Sequence, residues 1–156
     1  MKKITIFWII FILILYAGGC GKTEKKQFSY EDDNFVFRVE IPSNWVCEKT
    51  AKFIGDETTE GLPDYGLKIY VNGDKENEIY LFQQSGHIAI PAYGGEEIQV
   101  TPQIKGTLYL EQSEEYIIGN LVFENEFQGI WFHLTQKCYD ENKAQIQEMI
   151  ESIQIE

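Results

Sequence analysis

The sequence predicts an α+β fold in a single domain, an antiparallel β-sheet with a C-terminal α-helix packed on it. Three observations carry that prediction. From Phe35 to Cys138 the chain returns repeatedly to short β-branched and aromatic runs with a two-residue repeat. Short polar turns separate the later runs, as in a meander. Near the end, Ile146, Met149, Ile150 and Ile153 fall at i, i+3, i+4 and i+7, the spacing of one apolar helical stripe.

Taken in order, the domain is expected to begin at Phe28. Phe35, Phe37, Val39 and Ile41 alternate with Val36, Arg38 and Glu40, so one face of that strand is apolar. Pro42, Ser43 and Asn44 form a turn, because Pro presets its own φ and Asn tolerates unusual backbone angles, and Trp45 opens a second short strand. Residues 54–65, "IGDETTEGLPDY", read as an exposed loop. "GLKIYV" and "EIYLFQQ" are two strands joined by "NGDKEN", in which Asn72 and Gly73 signal a hairpin turn. Residues 85–106 mix Gly, Pro and short apolar pieces, and are expected to form a loop with a short strand at His87 to Ile90. "GTLYLEQ", "EYIIGNLVFE" and "FQGIWFHLTQKC" then make the meander. In the last of these, Ile130, Phe132 and Leu134 share one face and Trp131 and His133 the other. Asp140 is expected to cap the closing helix, "ENKAQIQEMIESI".

Ahead of this domain stands a greasy leader. Lys2 and Lys3 precede the apolar run Ile4 to Tyr16, which as a helix is about 20 Å long, short of the roughly 30 Å of a bilayer core. Ala17, Gly18 and Gly19 follow, small residues suited to a signal-peptidase cleft. Residues 1–19 therefore read as a cleaved signal peptide. The ending "AGGC" resembles the lipobox of bacterial lipoproteins, with Ala17 where that family usually has Leu. The resemblance implies that the Cys20 thiol receives a diacylglyceryl group with palmitate-type chains, leaving residues 20–27 as a lipidated Cys and short tether and residues 28–156 as the domain. Ordinary secretory cleavage would cut at the same bond and release a soluble protein. Two acyl chains at about 0.8 kcal/mol per buried CH₂ hold a protein stably where one is marginal. The expected location is the extracytoplasmic face of the cell membrane, lipid-anchored.

Charge excludes one partner class. From Gln27 onward there are 8 basic and 24 acidic residues, a net of −16 with His neutral. Such a body repels the phosphates of nucleic acid. Of the three cysteines, Cys20 is assigned to lipid, which leaves Cys47 and Cys138 either as a disulfide pair or as two small buried hydrophobes. A bridge is permitted outside the cytoplasm and would close a loop of about 90 residues, for which chain entropy gives roughly 4 to 5 kcal/mol.

The two ends of the domain resemble the Mog1/PsbP-like fold. The residues that carry this are Phe35, Phe37, Ile41, Pro42 and Trp45 at the front, and Ile146, Ile150, Ser152 and Ile153 at the back. The resemblance implies a small α+β protein that serves in binding or assembly without a shared catalytic site.

The residues point the same way. The two histidines, His87 and His133, do not sit in a nucleophile, zinc or phosphate-cradling motif; Cys47 or Cys138 beside His133 is the remaining nucleophilic arrangement. Asn72, Asp74 and Glu76 imitate the start of a calcium loop, but Gly is missing at the sixth position and Gln83 stands where a bidentate Glu belongs. No metal and no cofactor is expected. Tyr65, Tyr80, Tyr93, Tyr109, Tyr116 and Trp131 are candidates for an aromatic platform, and Tyr93 and His87 in the loop 86–97 for a ligand-facing edge. The expectation is a non-enzymatic binding module for an envelope protein or small ligand. The alternatives are an accessory envelope enzyme and a calcium-dependent interaction module.

Overall fold

The computed structural model describes residues 24–32, 35–50, 65–84, 88 and 94–156. The expected α+β architecture is present, with one difference: the strands form two antiparallel sheets. β1 (Lys25–Asp32), β2 (Phe35–Pro42) and the short β10 (Gln154–Ile155) make the smaller, in the order β1-β2-β10. The larger has seven strands, β3 (Val46–Lys49), β4 (Tyr65–Tyr70), β5 (Glu78–Gln83), β6 (Glu96–Gln99), β7 (Lys105–Gln112), β8 (Tyr116–Phe123) and β9 (Gln128–Thr135), in the order β3-β4-β5-β9-β8-β7-β6. Helix α1 (Gln136–Glu151) follows β9 directly and lies against β2, β8 and β9.

The sheets part at the Pro42–Trp45 corner. There Trp45 N donates to Pro42 O at 3.0 Å, turning the chain out of β2 and into β3. Trp45 itself is buried in the core. The core fills the space between one face of the large sheet and the layer made by β2 and α1. Phe37, Val39 and Ile41 supply it from β2; Leu67, Ile69, Ile79, Leu81, Leu121, Ile130 and Leu134 from the large sheet; and Cys138, Ile146, Met149 and Ile153 from α1 and its end. Burying each Leu, Ile, Val or Met side chain contributes about 1.5–3 kcal/mol. The alternation read in the sequence is what aims these side chains to one side.

β1 begins at Lys25, three residues ahead of the expected domain start, because the ladder with β2 continues to Lys25↔Pro42. Lys25 pairs with Glu148 on the helix at 2.8 Å, and Lys26 Nζ donates to Ser43 O at 3.1 Å. Residues expected in the tether are thus part of the folded body. The helix also starts earlier than expected. Its N-cap is Thr135, whose Oγ1 accepts from Cys138 N at 3.1 Å, and Asp140 lies inside the helix. Asn77 fixes that cap from the β4–β5 turn, its Oδ1 accepting from Thr135 N at 2.8 Å and Thr135 Oγ1 at 3.1 Å. The turn itself is the one that Asn72-Gly73 signalled, with both residues at positive φ, 54° and 74°.

Candidate functional site

With the core on one side, the large sheet turns its other face outward, and strand register sorts the side chains there into rows. One row runs Tyr109, Asn120, Trp131, Tyr80, Lys68 across β7, β8, β9, β5 and β4. The next runs Glu111, Ile118, His133, Glu78, Tyr70, ending on Val46 of β3. Four of the six aromatics proposed for a platform, Tyr80, Tyr109, Tyr116 and Trp131, therefore share this outer face. Tyr65 does not: it is buried in the core, 5.5 Å from the Tyr30 ring. Tyr93, His87 and Cys20 lie outside the described residues.

The outer face has a covered part and an open part. Tyr80, Phe82, Tyr109 and Val122 are buried together with Ile88, whose N donates to Glu126 O at 2.9 Å. Trp131 packs against the edge of this cluster and is only half-buried. From there the open part begins. The His133 ring stacks on Tyr116, 4.8 Å between centroids and 15° between planes, and Trp131 continues the stack at 6.3 Å and 21°. Ile118, opposite His133, is 36% exposed. Stacked aromatics standing from a sheet offer ring faces and edges to a flat or cationic ligand.

Two charged groups border the stack. Lys68 Nζ is 3.0 Å from Glu78 and lies 5.2 Å from the Tyr80 ring centre. Burial pulls the Lys68 ammonium down, but its hydrogen bond and attraction to Glu78 outweigh burial and hold its pKa above the ordinary value. Burial pushes the Tyr80 hydroxyl up, with Thr50 and Lys68 opposing. Within the first row, Asn120 Oδ1 is shielded from water and has no hydrogen-bond donor. Leaving a buried acceptor unsatisfied costs about 1–3 kcal/mol.

The nucleophilic arrangement is not assembled. Cys47 pairs across from Ile69 and packs on the core side of the sheet, Cys138 is buried in that core, and His133 is on the opposite face. The sheet separates the thiols from the imidazole. Burial, with a smaller opposing pull from Lys49, raises the Cys47 thiol to about 11, and burial raises Cys138 as well. Both are protonated at neutral pH, whereas the thiolate is the nucleophile. Both are also free thiols, so the Cys47–Cys138 disulfide is not made. Cys138 Sγ instead accepts from Asn142 Nδ2 at 3.8 Å, and Cys47 packs as a small hydrophobe.

Calcium fares no better at the turn that imitates its loop. Asp74 Oδ1 accepts from Glu76 N at 3.0 Å and Oδ2 from Asn77 Nδ2 at 2.8 Å, so this carboxylate ties the turn together. Among the described residues no group of three His, Cys, Asp or Glu is placed to hold a metal ion. A depression of about 280 Å³ at the β6–β7 edge mixes Glu97, Gln99, Lys105, Thr107 and Glu124, with acid and base side by side.

The sequence reading missed Tyr70, Phe82, Ile118 and Asn120 on the outer face. The signal was the strand character of β5, β8 and β9, since in a strand successive side chains point to opposite faces, one set to the core and the other outward.

No family model matches the chain, and no curated protein matches it. A solved structure that is similar is the solution structure of cyanobacterial PsbP (CyanoP) from Synechocystis sp. PCC 6803, with a TM-score of 0.47 and 9% identity, covering 92% of this chain and 99% of that one.

Proposed function

We propose that this protein is a non-enzymatic binding module, held at the outer face of the cell membrane by lipid on Cys20, that takes an envelope partner on the open part of its large sheet. The observation that carries the proposal is the half-exposed stack of Tyr116, His133 and Trp131 beside exposed Ile118. Exposed aromatic and aliphatic side chains gathered at one place mark interaction surfaces on soluble bodies. The separation of Cys47 and Cys138 from His133 by the sheet supports a binding role over nucleophilic chemistry.

The leader supports the tether: a positive start, an apolar run too short to span, and small residues before Cys20. Because Lys25 is fixed to the body, only residues 21–24 separate the anchor from β1. Five Cα steps reach at most about 17 Å. A body on so short a leash stays next to the lipid and meets partners in the envelope by proximity.

Site-specific photo-crosslinking tests the binding role. A photoreactive residue at Ile118, expressed in the native host, is expected to give one discrete adduct. The same group at Glu151 on the helix serves as the control. Equal, diffuse labelling from both positions contradicts the proposal.

A further inference from the structure

Asn72 uses both ends of its carboxamide. Asn142 is buried and its Nδ2 is committed to Cys138 O at 2.9 Å, so its Oδ1 takes a donor from the β4–β5 turn, Asn72 Nδ2 at 3.4 Å. Asn72 Oδ1 in turn accepts from Asn44 Nδ2 at 2.7 Å. One side chain thereby joins the Pro42–Trp45 corner, the turn and helix α1. An aspartate in its place would accept from Asn44 and have no donor for Asn142. Yet the chain sets Gly73 directly after this asparagine, and both residues are exposed to water. Glycine carries no Cβ, so its backbone nitrogen is unhindered toward the preceding carboxamide, and asparagine is among the thermolabile residues.

We propose that Asn72 is a self-modification site whose conversion to aspartate and isoaspartate unlatches the turn from the helix, and that the native turn holds this reaction back. In the reaction the Gly73 nitrogen bonds to Asn72 Cγ and loses its proton, the Cγ–Nδ2 bond breaks and ammonia leaves. Water then opens the five-membered imide at either carbonyl. The sum is asparagine plus water to aspartate or isoaspartate plus ammonia, with no change of oxidation state. Ring closure requires the Gly73 nitrogen to swing alongside Cβ about the Cα–C bond. Asn72 has φ 54° and ψ 21°, which turns that nitrogen away from Cβ, and the bonds to Asn44 and Asn142 hold the carboxamide at both ends. The turn is closed besides by Asp74 N donating to Val71 O at 3.0 Å. The reaction therefore waits on local opening of the turn. Once it has occurred, Asn142 Oδ1 loses this donor, a further carboxylate joins a turn that already carries Asp74 and Glu76, and the isoaspartate form lengthens the backbone that the Asp74–Val71 bond closes. The inference is independent of the binding function.

The test ages the purified protein at pH 8, folded and unfolded in guanidinium chloride, and maps residue 72 for the deamidation mass shift and for isoaspartate by enzymatic methyl transfer. Conversion is expected to be about tenfold or more faster in the unfolded chain. Asn142→Ala removes one hold without touching the dipeptide and should raise the folded-state rate. The aged fraction, separated by its added negative charge, should melt about 4 °C or more below the parent, and Asn72→Asp should shift in the same direction. Should that variant fail to fold when expressed, the aged fraction supplies the measurement. Equal rates in the folded and unfolded protein, no isoaspartate at residue 72 in the unfolded chain, a folded-state rate unmoved by Asn142→Ala, or an aged fraction that melts with the parent overturns the inference.

Discussion

Cys47 illustrates how burial decides the chemistry of a single residue. Its thiol faces the core, and desolvation pushes its pKa up to about 11. The folded state therefore holds the proton more tightly than the unfolded chain does. The stability this brings is present in full below about pH 9 and is lost as pH rises through about 11. Cys138, Tyr80 and Tyr139 are raised by burial as well and act in the same direction. Urea unfolding at pH 8 and pH 10.5 checks this: the fall in stability should be larger for the parent protein than for Cys47→Ala. Alkylation of Cys47 in the folded protein should stay slow through pH 9 and accelerate toward 11. Residue-level facts of this kind were only half legible. The small, buried character of Cys47 and Cys138 was one of two readings of the sequence, and choosing between them required knowing that one sits on β3 opposite Ile69 and the other in the first turn of α1.

At the scale of the element, alternation was the reliable guide. β2, β4, β5, β7, β8 and β9 were all visible because apolar residues at every second position must share a face. β1 was missed because as an edge strand it offers only Phe28 and Tyr30 to the core, and Lys25, Lys26 and Gln27 read as tether. Lysines on an edge are the usual guard against strand addition. β6 was missed because it is four residues long and mostly exposed. The helix start was misplaced because its cap is held by Asn77, 58 residues away, a contact that no local pattern announces. Gly119 gives an element-level prediction. It sits opposite Phe132, and a Cβ added there would lie 2.0 Å from that ring. Gly119→Ala should destabilise the protein by about 1–3 kcal/mol, the cost of overpacking, read as a lower urea midpoint. Adding Phe132→Leu should recover part of that loss, since residues in contact are not additive.

For the whole molecule, the split into two sheets was not legible. It depends on the Pro42–Trp45 corner turning the chain away from β2, which the sequence marks as a turn without saying which sheet follows. The open aromatic stack was legible as candidate residues and not as a place, because only the cross-strand register brings Tyr116 of β8 beside His133 of β9. The architecture that results has one sheet face given to the core, the other partly open, and Lys25 at the start of β1 clamped to Glu148. Under the proposed tether, lipid on Cys20 would keep this acidic body at the membrane surface. The most direct check is the intact mass of the mature protein purified from the membranes of its native host. A chain beginning at Cys20 and carrying the mass of a diacylglyceryl group is expected, with Cys20→Ser abolishing that species. A mature chain with an unmodified Cys20, or protein found free in the medium, would contradict the tether.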